Sequence, residues 1–93
     1  MVPVQTLAKE LNINADQLML ESINLYLRNN LYKVESEMYI ILNKFNVKDI
    51  YEFEQKVKSG DINESQGFDD FFKLDMLTAK HDKFKSLLAL IND

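Results

Sequence analysis

Between Asn14 and Phe45 the apolar residues fall on a helical period. Leu20, Ile23, Leu27, Leu31, Val34, Met38, Ile41 and Phe45 are separated by steps of 3, 4, 4, 3, 4, 3 and 4, which places them on one side of an α-helix. The mean step of about 3.6 residues lies between a straight helix and the 3.5-residue repeat of a coiled coil. A helical bundle and a coiled-coil-like dimer are therefore both open at this point. Leu18, Leu25, Tyr32 and Tyr39 form a second row at seven-residue spacing, and a helix that is apolar on two sides is usually sandwiched between neighbours. Arg28, Asn29, Lys33, Glu35, Ser36 and Glu37 read as its water-facing remainder.

Punctuation on either side of this rod divides the rest of the chain. Asn14 with Gln17, Asp49 with Glu52 and Asn63 with Gln66 are each an N-cap residue followed three positions later by a residue that can complete a capping box. Gly60 follows Lys56 and Lys58, the residue types suited to the negative end of a helix and to a left-handed exit from it. Leu7 and Leu11 pattern a short helix ahead of Asn12. Leu77, His81, Phe84, Leu88 and Ile91 pattern a long one near the end, whose first turn is weakened by Gly67 by about 1 kcal/mol relative to alanine. The expected plan is all-α in one domain, 1–93, with short helices at 4–11 and 50–58 and long helices at 15–45 and 64–91. A rod this long cannot bury its own stripe, so the expectation is a homo-oligomer, a dimer first, in which Leu20 to Phe45 is the self-association surface.

Composition narrows the chemistry. Apolar residues make up 46% of the chain and charged residues 28%, which is globular rather than disordered. The net charge of −4 provides no general attraction to nucleic acid or anionic lipid. No cysteine is present, which removes disulfides and thiolate metal sites, and no apolar run reaches the length of a membrane span. A cytoplasmic location is the plain reading.

No arrangement for catalysis stands out. His81 is the single histidine and has no further ligands or nucleophile at a useful spacing; a hydrogen-bonded residue at an interface edge is the expectation. Lys80, Lys83 and Lys85 concentrate positive charge near a helix C-terminus, where cations are stabilising in any case. Tyr26, Tyr32, Tyr39 and Tyr51 could stack on bases only beside a basic groove, so core or protein interface is the better assignment. The acidic and aromatic run Asp69, Asp70, Phe71, Phe72 and Asp75 is the candidate for docking a protein partner. No enzyme, metal or cofactor is expected.

Leu7-Ala8-Lys9-Glu10-Leu11-Asn12-Ile13-Asn14, followed by Gln17-Leu18 and by Glu21 to Leu27, resembles the two helices of ribbon–helix–helix proteins. The remainder, with its "KFNV" break, "SGDI" turn and "DDFFKLDML" helix, is similar to small archaeal and bacterial antitoxin-like proteins. The resemblance implies a dimeric core and a protein partner such as a toxin. It also implies, as an alternative, a DNA-binding regulator. That family reads DNA through a strand ahead of the first helix, whereas Met1 to Val4 here carry a proline and no basic or amide side chain. Partner binding is therefore the leading expectation, DNA binding the second, and a structural assembly module without a ligand the third.

Overall fold

The computed structural model describes residues 3–92; Met1, Val2 and Asp93 lie outside the described residues. Four helices follow one another: α1 (Val4–Glu10), α2 (Ala15–Lys44), α3 (Ile50–Ser59) and α4 (Glu64–Ile91). The described part is all-helical, with two short and two long elements. Of residues 1–4, where ribbon–helix–helix proteins carry a strand, Pro3 is the N-cap of α1 and Val4 its first residue; the rest is outside the described residues.

Local chemistry sets the boundaries. The Asn14 side chain accepts from the amides of Asp16 and Gln17, at 2.8 and 3.2 Å. Asp49 accepts from Glu52 at 2.8 Å, and Asn63 from Ser65 at 3.0 Å. Each of these three asparagine or aspartate caps satisfies amides that the first turn leaves without a carbonyl. In two of the three the residue three positions on is engaged elsewhere than the expected capping box: Gln17 donates to Glu21, and Glu52 accepts from the Lys48 amide. Helix ends use left-handed residues. Asn12 and Asn46 have φ of 56° and 54°, and Gly60 has φ of 85°. Past the first two, the amides of Ile13 and Val47 reach back to the carbonyls of Ala8 and Leu42, both at 2.9 Å, which is the closing bond of a Schellman motif.

The two long helices form an antiparallel hairpin with α3 across its closed end. Three polar contacts mark the register: Lys44 to Asp70 at 2.7 Å, Glu35 to His81 at 3.5 Å, and Asn92 to Asn24 at 2.9 Å. The core lies toward the closed end. Phe53 and Leu74 are fully buried, joined by Val34, Ile41, Val47, Ile62 and Leu77. Phe53 meets the edge of Phe45 at 4.6 Å between ring centroids and Phe71 at 5.6 Å. No polar side chain is buried among the described residues.

The other end is thin. Helix α4 finishes near Asn24, so residues 15–23 of α2 project past it by about 14 Å with α1 folded against them. The extents are 60 × 27 × 17 Å and the radius of gyration is 19.0 Å, against about 12 Å for a compact domain of this length. No helix of the described residues is long and apolar enough to cross a membrane.

Candidate interaction surface

The stripe that dominates the sequence has an intramolecular partner. Leu27, Val34 and Ile41 are buried under α4, and Leu31, Met38 and Phe45 are partly buried beside them. Only Leu20 and Ile23, past the end of α4, remain 45% and 42% exposed. The expected self-association surface is thus largely the seam of the chain's own hairpin. A second copy could use that seam only if the hairpin opened, since α4 supplies the apolar contacts the stripe needs.

The second row is left without cover from Leu25 onward, Leu18 being partly buried beside α1. Leu25, Tyr32 and Tyr39 each stand two residues before the buried stripe position 27, 34 or 41, hence about 200° around the helix. They are 61%, 72% and 68% exposed. Tyr26 and Ile40 beside them are exposed as well. Two apolar grooves lie along this outer side of α2. One, between α1 and the start of α2, is walled by Leu7, Leu11, Leu18, Met19, Ile23 and Tyr26. The other runs along the far half of α2 past Tyr32, Tyr39, Ile40 and Leu42 to His81.

A longer pattern accompanies the row. Leu18, Ser22, Leu25, Asn29, Tyr32, Ser36, Tyr39 and Asn43 alternate by steps of 4 and 3 without a break. That is a heptad seam of about four repeats in which large apolar residues alternate with small or amide-bearing ones. Ser36 is turned onto its own helix, its hydroxyl donating to the Tyr32 carbonyl at 2.9 Å, and so adds no bulk to the face. The apolar half of this seam is legible as the seven-residue row. Its other half was missed because Asn29 and Ser36 read as ordinary polar surface and Ser22 and Asn43 drew no reading.

The acidic and aromatic segment of α4 is divided by the fold. Asp70 is held by Lys44, and Phe71 packs on Phe53. Asp69 and Asp75 are exposed, and Phe72 stands edge-to-face against Phe68 at 4.7 Å between centroids, both rings about half exposed. This pair rims a groove with Val57 and Lys58 of α3. His81 sits within 3.5 Å of both Glu35 and Asp82, spanning α4 and α2 at the edge of the outer face. No cluster of three metal-ligating side chains occurs among the described residues.

These features define a small all-α hairpin protein with an uncovered heptad face on its longest helix. The chain belongs to the uncharacterized protein MJ0235 family, whose model matches residues 1–93. No curated protein and no solved structure matches it.

Proposed function

We propose that this protein is a non-enzymatic association module that works as a homo-oligomer, with the outer face of α2 as its interface. The observation that carries the proposal is the opposed pairing along α2, where each buried stripe residue is matched by an exposed apolar residue on the other side. A monomer gains nothing from keeping Leu25, Tyr32, Tyr39 and Ile40 in water, and contiguous exposed apolar surface of this kind marks an interaction site. The accessible surface supports the same reading. It is 7280 Å², whereas a folded monomer of 10.9 kDa exposes about 5,600 Å². The excess of about 1,700 Å² exceeds the roughly 800 Å² that each partner contributes to a standard interface.

Nucleic-acid binding is less well supported on this face, because Arg28 and Lys33 are balanced by Glu21 and Glu35 and no continuous positive track results. A protein partner such as a toxin, for a chain of antitoxin type, would have a second place to dock, the exposed Phe68 and Phe72 pair with Asp69 and Asp75 nearby. Light scattering tests the main proposal. Wild type is expected as a dimer or larger assembly at micromolar concentration and Tyr32→Asp as a folded monomer; a monomeric wild type would reject it.

A further inference from the structure

We infer that the occupant of the outer face is a second copy of α2 lying antiparallel, in the register that sets Asn29 opposite Tyr32 of the second copy. This deepens the proposed function and rests on it. In an antiparallel coiled coil each layer joins one position of the first type, a, to one of the second, d. Here every a position, Ser22, Asn29, Ser36 and Asn43, is small or amide-bearing, and every d position, Leu18, Leu25, Tyr32 and Tyr39, is large. Antiparallel pairing therefore seats large against small in every layer: Leu18 on Asn43, Ser22 on Tyr39, Leu25 on Ser36 and Asn29 on Tyr32, each occurring twice by symmetry. Parallel pairing would stack Tyr32 on Tyr32 and Tyr39 on Tyr39 while leaving serine against serine.

Charge selects the register. Arg28 is the only arginine, and its neighbours three and four residues away are Asn24, Leu25, Leu31 and Tyr32, so its own helix offers it no acid. In the proposed register it meets Glu35 of the second copy, and Glu35 meets Arg28 in return. Lys33 comes beside the Tyr26 ring, a cation–π arrangement, and Met19 beside Ile40. Sliding by one heptad in one direction brings Arg28 onto Arg28 and Glu21 onto Glu35. Sliding in the other brings Glu35 onto Glu35 and Lys33 onto Lys33. Parallel pairing sets Arg28 against Lys33. Like charges in all three alternatives exclude them in the way that flanking residues specify coiled-coil partners.

The grooves agree with this arrangement. The apolar groove between α1 and the start of α2 faces Tyr39 and Ile40 of the second copy, and the groove along the far half of α2 faces its Leu25 and Ser22. The contact extends from Leu18 to Asn43, about 37 Å.

Cysteine cross-linking tests the arrangement, since the chain has no cysteine of its own. Leu25→Cys and Ser36→Cys change side chains outside the hydrophobic core. After mild oxidation of a mixture, a disulfide joining one variant to the other is expected, with little cross-linking of either variant alone. Homodisulfides in each separate sample, or none in any sample from a protein that light scattering shows to be dimeric, would overturn the antiparallel register while leaving self-association intact. A monomeric wild type would overturn both. Arg28→Glu or Glu35→Arg alone should weaken dimerisation roughly tenfold, and the double charge swap should restore it; failure of the swap to restore it would reject the pairing of these two residues.

Discussion

Gly67 is the residue at which local propensity and tertiary packing give opposite answers. It lies in the first turns of α4, where replacing glycine by alanine in an ordinary helix stabilises by about 1 kcal/mol. A Cβ built there would meet Ile62 Cγ2 at 2.9 Å and the Phe53 ring at 3.4 Å. The methyl of Ile62 is attached at the branch point, so it moves only with the stiff χ1 torsion or with the backbone. Ile62 is itself buried, and its amide is tied to the Lys56 carbonyl at 3.1 Å. Overfilling a packed site of this kind costs typically about 1–3 kcal/mol, which outweighs the propensity gain. Gly67→Ala is therefore expected to lower stability by about 1 kcal/mol. Ile62→Leu removes the branch methyl at nearly constant volume, and in that background Gly67→Ala should become stabilising by about 1 kcal/mol. The four proteins of the cycle can be compared by urea denaturation followed by circular dichroism, at one protein concentration because association contributes to apparent stability. Stabilisation of wild type by Gly67→Ala, or additivity of the two changes within about 0.5 kcal/mol, would refute the steric explanation.

Other perturbations follow from the same geometry. Leu74→Ala empties the fully buried centre of the hairpin and should cost about 2–5 kcal/mol by denaturation, with a value under 1 kcal/mol placing the core elsewhere. Asn14→Ala removes an acceptor for two amides and should lose about 1 kcal/mol, visible as a lower midpoint at unchanged denaturant slope. Lys44→Ala breaks an ion pair whose lysine is largely exposed, and its cost should stay below about 1 kcal/mol and shrink with added salt. Leu25→Asp should leave helix content by circular dichroism intact and shift the molecule to the monomer, whereas Leu27→Asp, at the buried face, should unfold it.

The helices were legible because their causes are local. Asn14, Asp49 and Asn63 mark helix starts in any context, and apolar steps of 3 and 4 mark one side of a helix whichever neighbour covers it. The neighbour was not legible. The stripe from Leu20 to Phe45 records only that something apolar covers it, and a second chain and the chain's own α4 would leave the same pattern. Counting apolar residues on α4 does not resolve this, since Leu74 and Leu77 point into the hairpin while Phe68 and Phe72 lie largely outside it. Likewise Asp70 differs from Asp69 only by its position opposite Lys44. Gly67 read as a weak helix start because its reason, contact with Ile62 and Phe53, lies in tertiary structure. The outer face was half visible. Its leucines and tyrosines stood out at seven-residue spacing, and its serines and asparagines acquire meaning only once the opposite face is known to be occupied.

Sedimentation equilibrium on the wild-type chain and on Tyr32→Asp measures self-association through the outer face most directly. At micromolar concentration the wild type should sediment as a dimer or larger assembly, with twice 10.9 kDa expected for the antiparallel pair, and Tyr32→Asp should sediment as a folded monomer. A wild type that sediments at 10.9 kDa, or a variant that self-associates as the wild type does, would contradict association through this face.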